Sequence, residues 1–197
     1  HELTVADIEE DEIGAAAITF MEGFLWDPPE AKRAFVKAAE FAHKHGRSAA
    51  ITLSDPFCVD RFRGEFVHLL RSGTIDTLLA NLAELKSLYQ TEDLNAAIEQ
   101  VSRDCRLAAV TMGKNGAMAI KDGKSVWVPV YPVETVEDAT GAGDLFASGF
   151  LLGAARGADM ETALKLGCLC ASEVISHIGA RPQTNLKNLA ARHGLAV

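Results

Sequence analysis

Three short apolar runs, at residues 15–20, 49–53 and 75–80, are each followed by a stretch in which apolar residues recur at three and four positions. A five- or six-residue run suits a buried strand and is too short for a buried helix. Strands alternating with helices predict an α/β layered sheet, parallel where a helix returns the chain to the same end. The clearest helix follows Pro28-Pro29 and is expected to run to about residue 45. It has one apolar face made of Ala31, Ala34, Phe35, Ala38, Phe41 and Ala42, and Gly46 stops it. Residues 4–13 are acidic and predicted helical, and further helices are predicted at 64–71, from Asn81 and at 94–103.

The pattern changes after a fourth strand at 107–111. Gly113-x-x-Gly116 turns the chain into a strand at 117–121, and Asp122-Gly123 predicts a tight hairpin into 125–130. Helices are expected at 142–156, 160–177 and 186–193. The fold class expected is therefore α/β, a mostly parallel sheet with an antiparallel edge. No repeat, low-complexity segment or linker divides residues 1–197, so one α/β domain is expected.

Composition narrows the partners. Apolar residues make up 48% of the 197 and charged residues 23%, which suits a globular chain. The net charge of -8 argues against nucleic acid and anionic membranes as partners, while a local positive site for phosphate remains open. No apolar run reaches the roughly 18 residues of a membrane span. Cys58, Cys105, Cys168 and Cys170 have neither Cys-x-x-Cys nor zinc spacing and read as small hydrophobes rather than disulfide or metal partners. A reducing, cytoplasmic setting is expected. The chain starts at His1 without a signal-peptide pattern, and it is expected to be processed or to lack its beginning.

The stretch with chemical content is Asp138-Ala139-Thr140-Gly141-Ala142-Gly143-Asp144, just before an apolar helix. Two glycines around one small residue leave backbone N–H groups free at the positive end of the helix, which makes an anion site. Asp144 could cap that helix. Beside a bound phosphate, however, a carboxylate repels the ligand unless it has a task, and the natural task is to take the proton of an attacking hydroxyl. The G-x-x-x-x-G-K-[ST] phosphate loop is absent. The dinucleotide pattern G-x-G-x-x-G is half met, with Phe146 in the sixth place, no buried strand before Gly141 and no strand to carry Glu161 to a ribose.

On this motif the sequence resembles the ribokinase-like (pfkB) carbohydrate kinases, whose signature is Asp-Thr-x-Gly-Ala-Gly-Asp; Ala139 stands where Thr is usual. Asn81-x-x-Glu84 resembles the family's Asn-x-x-Glu, although a capped helix would read the same way. Thr111-x-Gly113-x-x-Gly116 resembles its nucleotide-side turn, and Gly179-Ala180-Arg181-Pro182 its Gly-Ala-x-Pro segment. Leu53-Ser54-Asp55-Pro56-Phe57 resembles the adenosine-kinase branch.

The resemblance implies a three-layer α/β sandwich whose amino-terminal part and lid are not in this chain. It implies transfer of the γ-phosphoryl group of ATP to a sugar or nucleoside hydroxyl. Asp144 would be the base, and Gly141, Ala142 and Gly143 the anion hole. Thr111, Gly113, Gly116 and His177 would border the nucleotide, and Asn81 and Glu84 would organise Mg2+ through water. K+ would sit near Asp138, Thr140 and Gly179. A homodimer through the lid is compatible with it. Two other classes remain open: a non-catalytic nucleotide-binding or regulatory protein on the same fold, and an inactive fragment that packs with another chain.

Overall fold

The computed structural model describes residues 3–195, so His1, where the chain starts, lies outside the described residues. Six strands form one sheet in the order β1-β2-β3-β4-β5-β6. They are β1 (Ile18–Glu22), β2 (Ser48–Thr52), β3 (Thr77–Asn81), β4 (Leu107–Thr111), β5 (Ala117–Lys121) and β6 (Lys124–Val128). β1 pairs with β2, and β2 with β3, in parallel, with Ile18 opposite Ser48 and Ala50 opposite Thr77. The two-residue turn at Asp122 and Gly123, with φ of 51° and 74°, makes β5 and β6 the antiparallel edge. The mostly parallel α/β sheet expected from the alternation is what forms. The described residues gather into two compact units, 3–110 with 120–124, and 111–119 with 125–195. The division passes through the strands, where no linker composition marks it.

In the first unit α1 (Glu10–Ala15), α2 (Pro29–Lys44), α3 (Pro56–Arg71), α4 (Leu82–Tyr89) and α5 (Leu94–Asp104) alternate with the parallel strands. α2 buries Ala31, Ala34, Phe35, Ala38 and Ala42 as expected. It buries Ala39 in place of Phe41, which sits half-buried with the Lys37 ammonium 4.4 Å from its ring centre. Trp26 fills the space between α2 and α3, 5.6 Å from Phe35 and 5.9 Å from Phe66 between ring centres, and its indole N–H donates to Glu65 at 2.9 Å. Among the boundaries that differ from expectation, such as that of the helix expected over 160–177, which ends at Val174, two have a local cause. β1 starts at Ile18, not residue 15, because Ala15 completes α1. α3 starts at Pro56, not residue 64: the Asp55 carboxylate accepts from the amides of Phe57 and Cys58 and so caps a helix with proline in its first turn. Phe62 breaks the helical backbone inside it (φ -121°, ψ 16°), which is why the spacing read as helix only beyond it.

The second unit holds most of β5 and of β6, with α6 (Ala142–Ala155), α7 (Met160–Val174) and α8 (Leu186–Arg192). α6 and α7 meet backbone to backbone. A Cβ on Gly149 would stand 2.5 Å from the Leu166 carbonyl oxygen, one on Gly153 2.8 Å from the Ala163 Cα, and one on Gly167 2.8 Å from the Phe146 ring. Leu166 and Leu169 of α7 pack with Ala190 of α8 and Leu195, flanked by Tyr131 and Leu189. All four cysteines are buried free thiols, and burial pushes Cys105, Cys168 and Cys170 up to about 11, as fits small hydrophobes. No helix among the described residues is long and apolar enough to cross a membrane.

Candidate active site

Gly141 is the N-cap residue of α6. Its φ of +81° is open to glycine, and a Cβ there would lie 2.9 Å from the carbonyl oxygen of Ala180. The turn tightens as Ala142 N–H donates to Ala139 O at 3.2 Å, and Leu145 N–H donates to Gly141 O at 2.9 Å. The amides of Gly143 and Asp144 between them have no partner among the described residues, and the space above Gly143 is clear for 4 Å. Two free N–H groups at the start of a 14-residue helix, with no side chain in the way, have the disposition that an anion site requires.

Asp144 stands at the third helical position, exposed. Its carboxylate has no hydrogen-bond or ion-pair partner among the described residues, and no side chain caps α6. The capping role open to it in the sequence is thus not taken up. A carboxylate held beside free amides is placed to accept a proton from a nucleophile that attacks an anion bound there.

The turn is held from behind. Asp138 accepts from the Thr140 amide at 2.9 Å with one oxygen and from the Gly179 amide at 3.0 Å with the other. The Thr140 side chain, then the two amides, bring its carboxyl down to about 2. Asp138, Thr140 and Gly179, matched to a cation site by resemblance, are therefore brought together through this carboxylate. Ala180 then rests on Gly141.

His177 lies past the end of α7 with its ring mostly covered, Nε2 3.4 Å from an oxygen of Glu173. Glu173 escaped the sequence reading. It is only 8% exposed, and its other oxygen accepts from the amides of Gln183 and Thr184, each at 2.8 Å. The signal available was an acid four residues before His177, just after the largely apolar run 166–171.

The Thr111–Gly116 turn closes on itself. Met112 N–H donates to Gly116 O at 2.8 Å, and Gly116 N–H to Gly113 O at 3.1 Å. Gly113 has φ of +56°. Gly116 (φ 90°, ψ -150°) is restricted to glycine twice over, since a Cβ would fall 2.0 Å from Val128 O. The Trp127 indole donates to Asn115 O at 2.8 Å and fastens the turn to β6.

In the first unit, Asn81 and Glu84 make a full capping box at the start of α4. Asn81 Oδ1 accepts from Glu84 N–H at 2.9 Å, while Asn81 N–H and its side-chain amide donate to the two Glu84 oxygens at 2.8 and 2.6 Å. Glu84 is 4% exposed. Burial pushes its carboxyl up, the Asn81 bond opposes this, and the charges of Asp55 and Glu22 add to the rise. Among the described residues no group of three or more His, Cys, Asp or Glu side chains is disposed to hold a metal ion. Each Glu84 oxygen accepts one bond from Asn81 and retains a lone pair, which leaves the pair able to meet a metal through water.

The profile of the pfkB family carbohydrate kinases matches residues 1–187. A probable sugar kinase from Rhizobium etli CFN 42 shares the fold with a TM-score of 0.96 and 50% identity, over 98% of this chain and 59% of that one. An adenosine kinase from Sinorhizobium meliloti does so with a TM-score of 0.95 and 48% identity, over the same shares. The adenosine kinase of Saccharomyces cerevisiae is 26% identical over 182 residues, 86% of this chain and 52% of that protein. The chain spans about half the length of the curated relatives it matches. With a profile match across nearly all of its residues, the chain belongs to the pfkB family of carbohydrate kinases.

Proposed function

We propose that the protein to which this chain belongs transfers the γ-phosphoryl group of ATP to a hydroxyl of a sugar or nucleoside. One observation carries the reading: the carboxylate of Asp144 and the amides of Gly143 and Asp144, all without a partner among the described residues, stand in the same helical turn. Those amides accept the charge that develops on the transferring group, and Asp144 takes the proton of the attacking hydroxyl. The Thr111–Gly116 turn and the segment around His177 border the nucleotide in this reading. Asn81 and Glu84 would organise Mg2+ through water, and Mg2+ when bound would supply neutralisation of phosphate charge. A K+ ion beside Asp138, Thr140 and Gly179 and a reducing, cytoplasmic setting belong to the same reading, the latter supported by four unpaired cysteines.

A nucleoside acceptor is supported by two relatives named adenosine kinase. It is supported further by exposed aromatic residues that follow the carboxyl ends of β1 and β2, where α/β sheets take their ligands. Phe57 is 81% exposed, and Phe24, 60% exposed, is tied by its amide to the Ser54 hydroxyl at 3.1 Å. Such rings suit a flat base.

The test is Asp144→Asn in the intact protein. General-base catalysis is worth about 10²–10⁴-fold, so kcat should fall at least a hundredfold. ATP affinity should stay within about twofold, because the amides remain. Wild-type turnover in the variant would sink the assignment.

A further inference from the structure

The segment from Ile175 to Thr184 arches from the end of α7 toward α8 and is fastened at three places. Its first foot is tied where Glu137 N–H donates to Ile175 O at 2.9 Å. Its crown is tied where Gly179 N–H donates to Asp138 at 3.0 Å. Its far foot is tied where the amides of Gln183 and Thr184 converge on a single oxygen of Glu173, each at 2.8 Å. Between crown and far foot lies Ala180, whose backbone and methyl group stand against Gly141 so closely that a Cβ there would meet them at 2.9–3.0 Å. Gly141 opens the turn that carries the free amides.

The far tie differs in kind from the others. Two backbone donors on one carboxylate oxygen, in a residue only 8% exposed, form charge-assisted bonds away from solvent competition. The carboxylate also balances a cost: an ionised group so deeply covered is retained only where donors satisfy it. His177 reaches the second oxygen at 3.4 Å, so the arch touches Glu173 from both ends.

We propose that Glu173 is a positioning residue for the anion turn: by clamping the amides of Gln183 and Thr184 it seats Ala180 on Gly141 and so fixes the direction of the Gly143 and Asp144 amides. The chemical consequence rests on the phosphoryl-transfer reading above; the mechanical coupling does not. Glu173 touches no reacting atom. It acts through Ala180, and misplacement of a phosphate cradle by a fraction of a bond length is enough to slow transfer.

The coupling is read by hydrogen–deuterium exchange in the intact protein, which needs no activity. Glu173→Ala should raise exchange in the peptides covering 178–184 and also 139–145. Glu173→Gln, which keeps an acceptor for both amides, should leave both near wild type. Ser176→Ala removes a hydroxyl bonded to the Glu173 carbonyl and leaves the carboxylate alone, and it should loosen neither. Faster exchange confined to 178–184 in Glu173→Ala, with 139–145 at its wild-type rate, overturns the proposal. Should the alanine variant fail to fold, Glu173→Asp, one methylene short of the amides, is read in the same way.

If the intact protein is a kinase, kinetics add a second arm. Glu173→Ala should lower kcat about 10–100-fold and raise KM for ATP while leaving KM for the alcohol within about twofold. Glu173→Gln should recover most of the loss. Equal losses toward both substrates, or no rescue by glutamine, contradict the proposal. A wild-type protein without turnover would overturn the kinase reading while the exchange result still decides the clamp.

Discussion

Gly141 and Gly143 sit two residues apart in one turn and answer different constraints. Gly141 is glycine because its own fold demands it: a positive φ and the Ala180 backbone both exclude a side chain. Gly143 has ordinary helical geometry and open space above it, so nothing among the described residues explains the absent side chain. A ligand that must approach the free amides does explain it. Gly143→Ala therefore separates stability from binding. It should leave Tm unchanged or raised, since alanine gains about 0.5–1 kcal/mol over glycine inside a helix. It should weaken ATP binding about tenfold in the intact protein, because the methyl takes up open space beside the amides that a phosphate would need. Unchanged affinity would mean that no phosphate sits there.

At the scale of elements, α6 and α7 are built to touch. Glycines at 149 and 153 face Leu166 and Ala163, and Gly167 faces Phe146. Their helix preference is poor, by about 1 kcal/mol each against alanine, so close approach must return more than that. Gly149→Ala tests which effect wins. The new Cβ would stand 2.5 Å from the Leu166 carbonyl oxygen, a backbone atom that cannot step aside. Overpacking of this kind costs about 1–3 kcal/mol, more than the helical gain, so denaturant unfolding should show a net loss of stability. A more stable variant would show that the helices can slide apart freely. α4 makes a related point: its Asn81–Glu84 box serves the helix start whether or not the same atoms also meet a metal through water.

For the whole molecule, 27 acidic residues against 19 basic ones make acid the informative stress. Asp138, held at about 2 against an ordinary 3.8, stabilises the fold fully above its unfolded-state value. That contribution is lost as pH falls through about 2. Glu84 works the other way. Burial raises its carboxyl, so the folded state takes up its proton more readily than the unfolded one, and the cost of its charge is relieved as pH falls. The expected outcome is that Asp138→Asn flattens the decline in unfolding free energy between about pH 4 and pH 2. Parallel wild-type and variant curves over that window would show that the two amide bonds contribute nothing.

Much of this protein was legible in the order of its residues. Strand–helix alternation, the Asp122-Gly123 hairpin and the Gly-Ala-Gly-Asp turn depend on local periodicity and backbone preference, which neighbours in sequence carry. Where local signals were weak, boundaries slipped: β1 moved past Ala15–Ala17, and α3 began at its Asp55 cap rather than beyond the break at Phe62. The site divides along the same line. Gly141, Gly143 and Asp144 could be picked out because they share one turn. That Asp144 has no partner among the described residues, that Asp138 grips an amide 41 residues away, and that a buried Glu173 accepts from the amides of Gln183 and Thr184 were settled only by packing. Such bonds join donors and acceptors far apart in sequence, and nothing in either stretch alone specifies the partner; the folded chain does, by bringing them within 3 Å.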